Sequence, residues 1–182
     1  ANVSFAVVDT TSPVITIQSP ANDSWLAKGT TSTSINITVD ENATCKYNTT
    51  DVNFDFSTGG TLLETFDNVS YNFTYSGLSN GQQFNVSYKC NDTSGNINSI
   101  STLHIFGVPD DICDRGTNST TCYIDSTKAL GDEKRNYSVL VINASMTGNF
   151  NITAYNLTIE TGGKIDVSGK GYAGGSRGNS GS

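Results

Sequence analysis

Apolar residues in this chain recur at every second position rather than every third or fourth. Phe84, Val86, Tyr88 and Cys90 alternate with Asn85, Ser87 and Lys89, the period of a strand with one face buried. That run ends in Asp92-Thr93-Ser94-Gly95-Asn96, a set of turn formers. Ala43-Thr44-Cys45-Lys46-Tyr47 alternates in the same way and puts Cys45 on its apolar face, so a Cys45–Cys90 bridge is expected inside a sheet core. Further strands are expected at residues 14–18, 34–39, 61–66, 71–75 and 100–106, with Trp25 plugging an edge. No amphipathic helical period of any length occurs, and the chain is expected to be all-β.

The pattern divides the chain into four parts. Residues 1–8 read as a strand, either the last of a preceding module or one donated to a neighbouring subunit, because an unpaired apolar strand is costly. Asp9-Thr10-Thr11-Ser12-Pro13 is a linker into residues 9–108. The number and spacing of strands there predict a β-sandwich of immunoglobulin or fibronectin type III kind. Residues 109–135 change texture. Pro109-Asp110-Asp111 is a linker, Cys113 to Cys122 encloses a polar loop, and Asp132-Glu133-Lys134-Arg135 is a solvated turn. Closing so short a loop removes about 2–3 kcal/mol of unfolded-state entropy on the chain-entropy model. Residues 136–182 hold short strands at 138–142, 151–154, 157–160 and 164–167, punctuated by Gly162-Gly163 and Gly169-x-Gly171. Such strands suit the opening coils of a right-handed parallel β-helix, or another short-stranded β module. A solenoid needs at least about three repeats to bury a continuous core, so the chain is expected to be a piece of a longer polypeptide.

Two resemblances sit on these residues. Ala43-Thr44-Cys45-Lys46-Tyr47, followed by Leu78-x-x-Gly81-x-x-Phe84-x-Val86-x-Tyr88-x-Cys90-x-Asp92-x-x-Gly95-Asn96, resembles the Ig-like repeats of archaeal and bacterial cell-surface or filament proteins, over roughly residues 9–108. Phe84 departs from the fibronectin-like pattern, standing where a corner tyrosine is usual, and Cys45 falls on the third strand rather than the second, so the bridge joins neighbouring strands of one sheet. The run from Leu157 to Gly175 is similar to the start of Gly-rich right-handed β-helices in large surface proteins. The resemblance implies spacer or adhesive modules, and architecture more firmly than activity.

Charge narrows the partners. With 17 acidic and 10 basic residues the net charge is −7, and the pI is about 4.4, so the basic footprint of a nucleic-acid binder is missing. No apolar run approaches the ~20 residues of a membrane span. Four cysteines, Cys45, Cys90, Cys113 and Cys122, allow three pairings. Cys45–Cys90 with Cys113–Cys122 is favoured because each falls within one segment, and the spacings are unlike a zinc site.

Asn-x-Ser/Thr occurs at Asn2, Asn22, Asn36, Asn42, Asn48, Asn68, Asn72, Asn85, Asn91, Asn118, Asn136, Asn143, Asn151 and Asn156, where chance at this composition gives roughly five. Asn/Thr-rich strands create some of these for free. Asn36 and Asn85 nevertheless fall in the polar phase of their strands, facing solvent. N-linked glycosylation and an extracellular location are expected.

Chemistry-bearing residues are sparse. His104, the single histidine, sits mid-strand without a nucleophile motif and reads as a packed or surface residue. Asp9, Asp92, Asp110 and Asp111 lie at sandwich ends, where carboxylates can share Ca²⁺ or serve turns; no dense ligand loop supports the ion, and no cofactor is expected. Gly169, Gly171 and Gly174 meet G-x-G-x-x-G without a βαβ unit. Glu160 and Asp166 could in principle pair for glycoside hydrolysis, but both fall in polar strand phase. Tyr71, Phe73 and Tyr75 form an aromatic stripe that reads first as core and second as a sugar-stacking platform.

The expectation is therefore a non-enzymatic structural or adhesive module of an extracellular glycosylated surface or filament protein, partnered by copies or modules of the same protein. A non-catalytic arm of a polysaccharide-active β-helix enzyme, or a carbohydrate-binding module, is the alternative.

Overall fold

The computed structural model describes residues 8–65, 67–110 and 112–168, without the side chains of Asp132 and Glu133. The expected strand at 1–8, Asn2, Asp111 and the glycine run from Gly169 onward lie outside these residues, Val8 excepted. The described chain is all-β and divides into two compact units, 1–111 and 112–182.

Among the described residues eight strands build the first unit: β1 (Ile15–Ser19), β2 (Ser24–Trp25), β3 (Ser32–Val39), β4 (Ala43–Asn48), β5 (Thr61–Leu62), β6 (Ser70–Ser76), β7 (Gln82–Asp92) and β8 (Thr102–Val108). One sheet has the order β1-β3-β6 and the other β2-β8-β7-β4-β5. Alternation decides which side chains meet. Ile35, Ile37 and Val39 of β3 share one buried core with Val86, Tyr88 and Cys90 of β7 and with Phe106 and Val108 of β8. Cys45 and Cys90 are directly opposite across β4 and β7, both fully buried, and are bonded to each other.

Three features depart from simple alternation. Ser87 and Lys89, on the polar phase of β7, are buried at 1% and 7% exposure, because segments 53–57 and 97–99 lie over that face around Lys89. The Lys89 ammonium donates to the Ser99 carbonyl, while Lys46, directly opposite it, donates to the Phe56 carbonyl and stands 5.0 Å from the Phe56 ring centre. The strand expected at 61–66 shortens to Thr61–Leu62. Finally, the hydroxyl tie absent at Phe84 has a counterpart elsewhere: Tyr71 on β6 donates to the Ala43 carbonyl at the start of β4, linking the two sheets.

Trp25 lies flat on β8. It pairs with Gly107, and a Cβ placed on Gly107 would come within 2.4 Å of the indole ring. The glycine is therefore required by space.

In the second unit, β9 (Arg115–Gly116) and β10 (Thr121–Ile124) form an antiparallel hairpin, and β11 (Lys128–Ile142), β12 (Ser145–Ile159) and β13 (Lys164–Asp166) stack parallel beyond it in the order β13-β12-β11-β10-β9. Thr121 pairs with Val139, Val139 with Asn156 and Ser145 with Lys164, an advance of 17 to 19 residues per strand. This register stacks like on like. Cys122, Leu140 and Leu157 form one ladder, and Ile124, Ile142 and Ile159 another. The inner rungs are dry, whereas Leu157 and Ile159 are about half exposed. Gly148 keeps φ at +126° where a Cβ would meet the Leu130 carbonyl of the adjacent strand at 1.9 Å. Residues 112–135, expected as linker, belong to this unit: Cys113 and Cys122 are bonded and buried in its core, and residues 132–135, expected as a solvated turn, lie within β11, where Glu133 to Arg135 pair with β12. They are recruited because Cys122 and Ile124 of the hairpin are the first rung of the two ladders.

A Gly107→Ala protein should lose about 1–3 kcal/mol of stability, the cost of overpacking a filled contact. Because Trp25 is the single tryptophan, thermal unfolding followed by its emission reads both effects: a lower Tm and a red-shifted native spectrum.

Candidate functional site

Three places in the first unit gather polar or aromatic groups beyond what packing demands. The first is acidic. Oxygens of Asp9, Glu41 and Asp92 all lie within 4.8 Å of one another. Asp9 comes from the linker, Glu41 from the β3–β4 turn and Asp92 from the end of β7. The Thr11 amide, then its hydroxyl, hold the Asp9 carboxyl below its ordinary value. Burial works to raise Asp92, but the Asn96 side chain and the Asn96, Ser94 and Gly95 amides together hold it low. Glu41 goes the other way: desolvation, then the charges of Asp9, Asp92 and Asp40, raise its pKa. Three carboxylates suit a hard cation such as Ca²⁺, although most of the lone pairs of Asp92 already accept protein donors. Of the aspartates expected together, Asp9 and Asp92 meet; Asp110 packs beside Gly81 instead. Glu41 was missed, though its place in an Asp40-Glu41-Asn42 turn was the available signal.

The second is His104, wholly buried on the inner face of β8. Its Nδ1 lies 3.0 Å from the Tyr88 hydroxyl, and its Nε2 is buried with no hydrogen-bond partner among the described residues. Burial lowers the imidazole pKa, and burial raises the Tyr88 phenol. The ring is thus a neutral core residue at physiological pH.

The third is a cleft of about 540 Å³ between β6 and the β4–β5 pair. Tyr71 of the aromatic stripe is buried, but Phe73 and Tyr75 are half-buried and line this cleft with Tyr47 and Asn48. Tyr47 stacks on Phe73 with ring centres 4.3 Å apart, joining the two sheets, while Tyr75 meets the edges of Phe84 and Phe106. Burial raises the Tyr75 pKa and the nearby Tyr47 adds to it, so the phenol stays protonated.

The remaining candidates scatter. Asp166 pairs with Lys164 at 2.7 Å and accepts from the Ser168 amide, and this tie depresses its pKa; Glu160 is exposed. Asn42, Asn68, Asn72, Asn85, Asn136, Asn151 and Asn156 are exposed, and Asn22 is too, though its carboxamide accepts from the Ile105 amide and donates to Asp23. Asn36, half-buried, lies directly opposite Asn72. Asn48, half-buried, accepts from the Thr50 amide and hydroxyl and from the Asp51 amide. Among the described residues Asn91 has a buried oxygen without a partner, Asn118 contacts the Cys113 sulfur at 3.7 Å, and the Asn143 nitrogen donates to Asp125 at 2.6 Å.

No protein-family model matches the sequence, and no curated protein matches it. Among solved structures, an engineered protein at 1.98 Å resolution aligns with TM-score 0.36 and 15% identity over 55% of this chain and 21% of its own. The SrpA adhesin of Streptococcus sanguinis aligns with TM-score 0.36 and 15% identity over 64% of this chain and 69% of its own. At these values neither likeness bears on what this chain does.

Two pH experiments follow from the first two places. Glu41→Gln should raise the Tm at pH 7, since it removes a carboxylate whose ionisation is disfavoured in the fold. A carboxyl with a raised folded pKa costs stability when ionised and stops costing it as pH falls through that pKa. The gain should therefore vanish below about pH 4. For His104 the folded pKa is depressed, so native protein loses stability as pH falls below about 6.5, by at most about 1.4 kcal/mol per pH unit. Denaturant titrations between pH 7 and 5 should show that slope in the native protein and its loss in His104→Gln.

Proposed function

We propose that this chain is a non-enzymatic structural or adhesive module of an extracellular, N-glycosylated cell-surface or filament protein. Residues 9–108 act in it as an Ig-like repeat, and the parallel stack beyond the β9–β10 hairpin as the opening coils of a β-helix. The observation that carries this reading is that each unit holds a disulfide sealed in its own core, at 0% exposure for Cys45, Cys90 and Cys122 and 4% for Cys113. Such bridges form and persist in an oxidising compartment. The strand order, three strands facing five, supports the Ig-like assignment. The exposed sequon asparagines support a sugar coat, and beyond the Thr65–Tyr71 bridge the outer edge of β6 pairs with no strand among the described residues, which gives neighbouring copies a strand to pair with.

Intact-mass spectrometry of native material, before and after deglycosylation, tests the proposal. The expected result is a mass above that of the bare polypeptide, no free thiol, and glycopeptides at exposed positions such as Asn42, Asn72, Asn85, Asn136 and Asn151. Asn143 should stay bare, because in the fold its nitrogen is held 2.6 Å from the Asp125 carboxylate, where a glycan has little room. A bare mass with four free thiols would overturn the extracellular assignment.

A further inference from the structure

We infer that the outer face of β8 seats the chain's own N-glycan at Asn85, whose first sugars lie over Leu103, Ile105 and the Trp25 indole and stabilise the first unit; the inference deepens the reading of a glycosylated surface module and rests on it. The strand supplies the first observation. Phe106 and Val108 turn into the core, as does the wholly buried His104, so Leu103, Ile105 and Gly107 turn outward. An antiparallel strand with one solvated face ordinarily carries polar residues there, yet β8 is apolar on both faces. Gly107 continues the outward stripe, because the Trp25 indole fills the place of its missing side chain. Leu103 is 38% exposed, and Ile105 and Trp25 are half-buried. Beside them the Ser101 amide donates to the Asn53 side chain, which draws the exposed Val52 and Ile100 to the border of the stripe. Exposed aliphatic residues scattered singly need no explanation; a contiguous outward stripe does.

The second observation is where the sequon falls. Asn85, of Asn85-Val86-Ser87, is exposed on β7 and directly opposite Ile105. Ser87 is opposite Leu103 and Gln83 opposite Gly107, so Leu103 and Gly107 are diagonal neighbours of Asn85 on the same face, within about 7–8 Å. A sugar joined to the Asn85 nitrogen therefore starts over the middle of the stripe. A pyranose ring has a face of C–H groups and a rim of hydroxyls; laid here, it covers aliphatic and indole carbon and keeps its hydroxyls in water. The link is covalent, so the contact is intramolecular and needs no pocket to hold the sugar in place. Asn72 makes the contrast. It is equally exposed, but it lies opposite Asn36 with Ser34 and Thr38 on its diagonals, and a glycan there meets polar surface.

The test uses the whole oxidised chain, made in a host that attaches N-glycans of N-acetylglucosamine and mannose, beside Asn85→Gln and Asn72→Gln made in the same way. Loss of the Asn85 glycan should lower the Tm by about 2–4 °C, red-shift the emission of Trp25 and speed its quenching by acrylamide. Loss of the Asn72 glycan should change none of these. Since Asn85→Gln also alters a strand residue, the native and variant chains are made again without glycans, and there their Tm values should agree. Ile105→Thr keeps a strand-forming residue but removes apolar surface under the sugar. In the glycosylated chain it should shrink the difference that Asn85→Gln makes.

An Asn85 glycan whose loss leaves the Tm and the Trp25 quenching as they were would overturn the inference. An equal change from Asn72→Gln, a difference that persists in the unglycosylated pair, or one that Ile105→Thr leaves undiminished would do the same. A bare chain that self-associates and protects Trp25 as well as the glycan does would give the face to a second copy, and the inference would fall. Asn85 left bare, in the host or in native material, while other sequons are occupied would also overturn it and leave the broader proposal standing. A native chain bare at every sequon would take the sugar coat and this inference together.

Discussion

The Cys45–Cys90 bond sits where two strands must stay dry on their inner faces, and the rest of the first unit is arranged around it. The two cysteines are opposite one another on β4 and β7, so the bridge locks the register of the pair that runs through the middle of the larger sheet. A slip of one residue would turn Val86, Tyr88 and Cys90 outward and Ser87 and Lys89 into the apolar core. The outer face of β7 carries a second demand. Burying Lys89 there is tolerable because its ammonium keeps a carbonyl partner, and Lys46 opposite it finds both a carbonyl and a ring face. Two like charges side by side would otherwise oppose the pairing.

The second unit meets the same problem of hiding aliphatic surface by repetition. Strand β11 lays Leu140 and Ile142 over Cys122 and Ile124, β12 lays Leu157 and Ile159 over those, and the hairpin tied by Cys113–Cys122 supplies the first rung. Polar ties gather at the turn after β10. Asp114 accepts from Lys128 and from the Asp125 and Ser126 amides, while Arg115 pairs with Asp125 and lies over the Tyr123 ring. A parallel strand cannot turn back tightly on its predecessor, and this knot of charges holds the corner where the chain changes direction.

Much of the architecture is written in local period. The alternation of Phe84 through Cys90 placed a strand and its buried face, and the apolar phase of Cys45 placed its partner. What could not be read was set by distant residues. Nothing in the period of β7 says that segments 53–57 will cover Ser87 and Lys89. Glu41 looks like any turn carboxylate until Asp9 and Asp92 are brought beside it. Residues 112–124 look like linker because their strands are short and their core lies in the ladder that follows. The aromatic stripe was visible, but the cleft was not, because Tyr47 comes from the other sheet.

The loop closed by Cys45–Cys90 spans a sequence separation of 45 residues, and every residue lining the aromatic cleft falls inside it. Tension applied through the ends of the chain passes from Cys45 to Cys90 across the covalent bridge and bypasses the segment between. About 150 Å of potential extension is thereby withheld from the load. A chain anchored at one end and pulled at the other would keep Tyr47, Phe73 and Tyr75 off the force-bearing path, so that this part of the molecule would go on holding its shape while strands outside the bridge were being stretched.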